Sequence, residues 1–287
     1  MLEIKPATIE LFDAILPLLK KFEIPGMDRK AWRTLFNAQW SKNYHHKGWV
    51  MMQGPEAVGF LGGLFHDRKI KGKIYSLCNL FCWYVQEDYR AQSLLLLLSA
   101  LKEDNLTITS LTPSEKASEI LRQFKFQPLD KEVVIFPYMP LLNRPPNWGI
   151  STDRTTIDEI VPHTRTSLLN HHPAPWCNHL IIWNVNNQQE FCHVAFNRVI
   201  KRGIPFTQVY HASDPALFKK NMGRIQGEFL RINRTPLTVI DRRLLPGPIP
   251  FPGIKYNLRY PRLFRSRNLS PEDIDNLYTE LLFLKKI

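Results

Sequence analysis

The chain has 287 residues, 44% apolar and 22% charged, and 38 basic against 26 acidic side chains leave a net charge of +12. That length sets a prior of about two domains and buries about three quarters of the unfolded surface, so no disulfide or metal staple is needed. The composition excludes a coiled coil, a collagen repeat and a disordered tail.

The longest apolar run, residues 94–101, contains Ser99 and is far short of the roughly 20 residues needed to span a bilayer, so no membrane span is expected. Glu3, Lys5, Glu10 and Asp13 interrupt the first apolar periodicity, which argues against a secretory signal. Cys78, Cys82, Cys177 and Cys192 form no Cys-x-x-Cys pair and read as reduced, mostly buried thiols. The expected location is cytoplasmic.

Residues 2–5 alternate like a strand, and Thr8 is placed to cap a helix carrying Leu11, Ile15, Leu18 and Leu19 on one face. A second helix is expected over 28–40, with Trp32, Leu35 and Phe36 on one side. The period then changes to two. Residues 48–52, 57–65 and 74–85 read as consecutive strands, with turn signals at Gly54-Pro55 and over 69–72. Helix 91–102, strand 106–111, helix 113–124 and strand 132–138 follow. The order β-α-α-β-β-β-α-β-α-β predicts a mixed α/β sheet flanked by helices. The proline-stiffened stretch 143–147 reads as a linker.

The second half starts again with strand 148–152 and helix 156–169, whose Ile157, Ile160, Val161, Thr164 and Leu168 form the buried side. Strands 179–185, 191–200 and 206–211, a long helix 215–232 and strand 237–241 repeat the order of the first half, an internal duplication. The expected division is 1–142, 147–245 and a Pro/Arg-rich tail, 246–287. In the tail, the prolines between Pro246 and Pro252 forbid a helix or a central strand. Ser270 as N-cap, Pro271 at N1 and Glu272 and Asp273 beyond it then predict a final helix with Leu277, Leu281 and Leu284 docked on the body.

Chemistry concentrates where the strand ending at Val85 meets a leucine-rich helix. Free N–H groups at such a helix start, with the dipole behind them, form a place for phosphate oxygens. Read from the residues alone, this is an ordinary strand-to-helix turn. The segment resembles the coenzyme A pyrophosphate loop of the GNAT N-acyltransferase superfamily, Val-x-Pro-Glu-Tyr-Arg-Gly-x-Gly-x-Gly/Ala. Val85, Tyr89, Arg90 and the run Leu96 to Leu98 match it. Residues 112–126 resemble the next strand-to-helix segment, whose closing Leu-Gly-Phe is here Phe124-Lys125-Phe126. Ala91, Ser93 and Leu95 stand where the family has glycines, and Leu121 where many members carry a tyrosine acid.

The resemblance covers residues 1–140 and implies two GNAT-like domains in tandem. It also implies transfer of an acyl group, acetyl foremost, from acyl-CoA to the amine of a small molecule or peptide. Val85, Arg90, Ala91, Gln92, Ser93, Leu94 and Leu95 would then hold the acetyl-CoA or other acyl-CoA. No carboxylate lies between Tyr75 and Gln86 to act as base, which leaves Cys82 and Tyr84 on that strand. His45 and His46 after the second helix are further proton acceptors. The second choice for the acceptor chemistry is a site in a cleft between the halves, using His171, His172 and His211. A catalytically inactive binding member is the alternative.

Two clusters invite other chemistry. Cys177 and His179 share a strand face, but Cys192 and His193 are adjacent and point to opposite faces, so packing is expected there and no metal site. Arg242, Arg243, Lys255, Arg259, Arg262, Arg265 and Arg267, interleaved with Tyr256, Tyr260 and Phe264, could face nucleic acid, an anionic substrate or an acidic membrane. Without an accompanying nucleic-acid motif, these arginines are expected to pair with carboxylates and carbonyls and pin the tail.

Overall fold

The computed structural model describes residues 1–103, 105–139, 147–161, 166–172, 176–201 and 203–284. The linker at 143–146, Thr164 and the Pro173–Pro175 stretch lie outside the described residues, as does the side chain of Leu168. The chain folds as two compact units. The first comprises Met1–Leu129, Arg262–Asp273 and Tyr278–Leu284; the second comprises Asp130–Pro261 and Ile274–Leu277. The tail is thus shared between them: its strand completes one sheet, and its last residues alternate in membership.

In the first unit, β1 (Leu2–Pro6), β2 (Gly48–Gln53), β3 (Glu56–Ile70) and β4 (Lys73–Val85) form an antiparallel meander. β4 then runs parallel to β5 (Thr107–Ser110), and the end of a later strand, β12 (Ile254–Arg265), pairs antiparallel with β5. Helices α1 (Phe12–Lys20), α2 (Arg29–Asn37), α3 (Leu94–Leu101) and α4 (Glu115–Gln123) cover the sheet. Asp28 caps α2 by accepting from the Ala31 N–H, and Trp32, Leu35 and Phe36 are its buried face. Trp49, Phe65, Leu80, Leu96, Leu97, Ile108, Leu121 and Phe126 meet in one core. Gly48 has φ +109°, and a Cβ there would sit 2.1 Å from the Leu61 carbonyl oxygen, so only glycine lets β2 lie this close to β3.

The second unit repeats the plan. β7 (Trp148–Ser151), β8 (Asn178–Asn184), β9 (Asn187–Lys201) and β10 (Ile204–Ala212) are antiparallel. β10 runs parallel to β11 (Leu237–Asp241), which pairs antiparallel with β6 (Gln127–Pro137). Helices α5 (Arg154–Ile160), α6 (Thr166–His171), α7 (Pro215–Lys220) and α8 (Met222–Asn233) belong to it. Val134, Phe136, Val194, Phe196, Val209, Phe218, Ile225, Phe229 and Ile240 form its core.

Several expected elements differ. Thr8 stands at the N-cap position of a 3-10 turn (Ile9–Leu11), but its side chain accepts no capping bond. The helix expected over 215–232 breaks at Asn221, whose side chain bonds the Leu217 carbonyl and leaves the helical conformation. β12 was not anticipated, since Pro261 lies inside it. The final helix is replaced by a 3-10 turn (Pro271–Asp273) and a short α9 (Leu281–Leu284). Tyr278 between them has φ +58°. Asn276, Thr279 and Glu280 are buried there, and side-chain hydrogen bonds to strand ends replace the helical ladder. Ser270 bonds Asp273 and caps nothing longer.

In the second unit Arg243 is the main buried cation. It pairs with Asp130 and with Asp241 at 3.1 Å, donates to the Ile274 carbonyl at 2.8 Å, and bonds the Asn276 side chain. Arg243→Ala would strand two buried carboxylates, so chemical denaturation is expected to show a loss of about 3–5 kcal/mol. A loss below about 1 kcal/mol would show that this network carries little of the stability.

Candidate functional site

The first unit's parallel pair is brief. β4 and β5 pair only over Leu77–Thr107, Cys78–Ile108 and Asn79–Thr109, and beyond Asn79 they part. Just past that point β4 is irregular: Tyr84 pairs with Phe60 and Phe81 with Gly62, so Cys82 and Trp83 together oppose Leu61. Cys82 takes φ +48°. Such a bulge takes backbone groups out of the β3–β4 ladder.

At the end of β4 the chain winds through a 3-10 turn (Glu87–Gln92) and enters α3 at Leu94, three residues later than Ala91, where the sequence placed the start. Neither Gln86 nor Ser93 supplies a capping side chain, so this anion-attracting end is not closed by a carboxylate cap. Ala91 and Gln92 are exposed, Ser93 half-buried, and the exposed Arg90 pairs with Glu87 at 3.3 Å. Leu94 and Leu95 are exposed too, so the Leu95 side chain is not packed into the core. These residues fit a phosphate-bearing ligand. Lys125, in the place of the family's glycine, has φ +65°, the left-handed conformation that glycine prefers.

The gap itself is lined from an unforeseen direction. Glu280 is 1% exposed, and one carboxylate oxygen, Oε1, accepts from the Leu111 N–H (3.1 Å), the Thr112 N–H (3.0 Å) and the Thr112 hydroxyl (3.1 Å). Its own N–H donates to Asn79 Oδ1 at 2.9 Å, and Asn79 Nδ2 donates to Thr109 Oγ1 at 3.1 Å. Oε2 is buried and unbonded. Burial raises this carboxyl's pKa above the usual range, against the donors that favour its charge. The strand carries no acidic residue of its own here, and a residue two hundred positions away supplies one. In the sequence this stretch showed only Leu277, Leu281 and Leu284 at helical spacing.

Of the other sequence candidates in this unit, Tyr84 lies two residues past Cys82, partly buried, its ring edge-on to Phe22 at 6.3 Å. His45 is exposed. His46 Nδ1 meets the Gly48 carbonyl at 2.8 Å among Tyr44, Trp49 and Phe65, and burial lowers its pKa. Between them and the core sits a lysine the sequence reading passed over. Lys47 is 2% exposed, bonds the Ala38 carbonyl and lies 5.7 Å from the Trp40 ring, and burial pulls its pKa down to about 8.

The second unit has the same break. β10 and β11 pair over Thr207–Thr238, Gln208–Val239 and Val209–Ile240, and β10 bulges between Val209 and His211. Asn276 bridges the parted strands, its N–H donating to the Tyr210 carbonyl (3.2 Å) and its side chain to Asp241 (2.6 Å). Asp214, however, caps α7 by accepting from Ala216 and Leu217 N–H, both at 2.9 Å, which places a carboxylate where an anion would bind. This unit instead gathers histidines. His211 Nδ1 lies 3.0 Å from Asp275, His193 Nε2 lies 3.0 Å from His179 Nδ1, and His179 Nε2 donates to the His172 carbonyl at 2.7 Å. The His193 and His211 ring centres are 6.2 Å apart. The His179, His193 and His211 rings thus adjoin one another, and His172 meets them through its backbone carbonyl. His171 is half-buried, its pKa lowered by burial. The Cys177 and Cys192 thiols are pushed by burial up to about 12 and about 11. No group of three or more His, Cys, Asp or Glu among the described residues is arranged to hold a metal.

The basic tail is largely engaged within the molecule. Arg242 bonds the Gly247 carbonyl at 2.8 Å, Lys255 pairs with Glu132 at 3.1 Å, and Arg262 is 1% exposed. No helix among the described residues is long and apolar enough to cross a membrane.

The chain is similar in structure to a probable N-acyltransferase from Enterococcus faecalis (TM-score 0.61, 10% identity, covering 95% of this chain and 74% of that one). It is similarly close to a GCN5-related N-acetyltransferase from Anabaena variabilis (TM-score 0.59, 11% identity, 92% and 72% covered). A tandem GNAT protein from the clavulanic acid biosynthesis pathway matches over its whole length (TM-score 0.52, 12% identity, 94% and 100% covered). The chain has the tandem GNAT fold. No family model matches the sequence, and no curated protein is significantly similar to it in sequence. Within this fold, the first unit combines the parted strands, the bulge and the uncapped helix start, whereas in the second the helix start is capped.

Lys47 gives a pH signature. Its pKa, about 8 when folded, lies below the ordinary 10.5, so between those values the unfolded chain binds the extra proton and stability rises with pH. Denaturant midpoints of the wild type are expected to climb from pH 8 to pH 10.5 relative to Lys47→Met. Parallel curves for the two proteins would show that the amine is not held in a desolvated site.

Proposed function

We propose that the protein is an acyltransferase whose first unit binds acyl-CoA and passes the acyl group to an amine. The observation that carries this reading is the arrangement along β4: parted from β5 after Asn79, bulged at Cys82, and leading into a helix start without a capping carboxylate. The loop from Val85 through Arg90, Ala91, Gln92, Ser93, Leu94 and Leu95 would hold the pyrophosphate on its backbone amides. Backbone groups at the bulge would polarise the thioester carbonyl while the amine attacks and the thiolate leaves. His46, with Nδ1 turned to the Gly48 carbonyl, keeps Nε2 available as a proton acceptor, and Tyr84 is the hydroxyl nearest the bulge on this strand. We assign the His171, His172 and His211 group to acceptor chemistry in the second unit only if the first proves inert. The acceptor is a small molecule or peptide amine, the donor foremost acetyl-CoA, and the cytoplasm the expected location.

A thermal shift tests this. Acetyl-CoA or free CoA at about 100 times its dissociation constant adds about 2.7 kcal/mol, an upward shift of about 4–5 °C for a chain of this size. Ser93→Asp, which puts a carboxylate at the helix start, is expected to abolish the shift. If no CoA species shifts the wild type at millimolar concentration, the catalytically inactive reading replaces this one. The exposed Glu87 and Asp88 beside the loop favour that second reading.

A further inference from the structure

The gap between β4 and β5 has a floor, and the floor is polar. Asn79 is the last residue of β4 paired with β5 and is fully buried, and Thr109, opposite it, is 3% exposed. Glu280 lies across them, fastened at Asn79 by its N–H and at Leu111 and Thr112 by Oε1. Phe283, one helical turn on, holds this segment against the sheet, its ring edge-on to Phe81 at 5.6 Å and to Trp32 at 5.9 Å. The bulge at Cys82 lies only three residues beyond Asn79 along the same strand, so a thioester at the bulge has about 10 Å of strand before it meets the floor.

We infer that Glu280 and the segment around it make the first unit selective for short acyl groups. The inference rests on the acyl-CoA reading above and names the class of acyl donor it implies. An acetyl group ends before the floor. An alkyl chain long enough to cross that distance, about nine carbons or more, must either displace Glu280 from its three donors or lie against a carboxylate whose Oε2 already lacks a hydrogen bond. Both are unfavourable, because a buried polar group that loses or is denied hydrogen bonds keeps its desolvation penalty. The shape of the gap does not enforce the choice by itself, since a wholly apolar floor at the same depth would accept methylenes by repacking. Polarity at depth decides it.

The test is calorimetric titration of the full chain with free CoA, acetyl-CoA and decanoyl-CoA, on wild type, Glu280→Gln and Glu280→Ala. Wild type is expected to bind acetyl-CoA about tenfold or more tighter than decanoyl-CoA. Glu280→Gln, which keeps an accepting oxygen and the bulk, should retain that preference. Glu280→Ala should bring the two affinities to within about threefold. Equal binding of the two thioesters by wild type, or an unchanged preference in Glu280→Ala, overturns the inference while leaving the acyl-CoA reading intact. Failure of all three species, free CoA included, overturns both. If Glu280→Ala does not fold, Phe283→Ala takes its place, since it loosens the same segment without removing a charge.

Discussion

Parallel strands that stop pairing after three residues leave backbone groups facing a gap, and buried backbone groups need partners. This constraint arises twice, at the end of the β4–β5 ladder and at the end of the β10–β11 ladder. One stretch of the tail answers it both times. Asn276 bonds the Tyr210 carbonyl and the Asp241 side chain in one unit, and Glu280 bonds the Leu111 and Thr112 amides in the other. The two residues are four apart in the chain, yet they fall in different compact units. The tail departs from helical geometry because satisfying the strand ends is worth more than one turn of helical ladder.

The two units answer a second question differently. A helix start at the end of the bulged strand attracts anions unless something else takes its N–H groups. Asp214 takes them in the second unit, and no side chain caps the first. The second unit places its titratable groups as two hydrogen-bonded pairs, His179 with His193 and His211 with Asp275, whose rings adjoin. Duplicated architecture therefore does not mean duplicated chemistry here. The carboxylate near the first unit's gap belongs to the tail, where burial opposes its charge and neighbouring amides favour it.

Much of the fold was legible because its elements are amphipathic. Trp32, Leu35 and Phe36 mark α2, and the turn signals at Gly54-Pro55 and over 69–72 separate β2, β3 and β4. The loop after Val85 was legible through Tyr89, Arg90 and the leucines behind them, although α3 begins later than its first small residue. Misreadings arose where polar side chains compete with regular structure. Asn221 interrupts what looks like one long helix, and Ser270-Pro271-Glu272-Asp273, a strong helix start by local rules, initiates only a turn. Lys47 and Glu280 drew no notice, because a charged residue in a sequence is read as exposed until the structure buries it.

By itself the sequence determined most of the order of the elements up to the tail, the repetition of that order and the faces that form the cores, because apolar periodicity and turn chemistry act over a few residues. The tertiary structure alone decided which strands pair parallel and where they part, which helix start is left uncapped, and which carboxylate lies at the gap. Those are contacts over separations such as the one between Asn79 and Glu280. No local propensity encodes them, and they form only when burial makes an unbonded polar group too costly to leave.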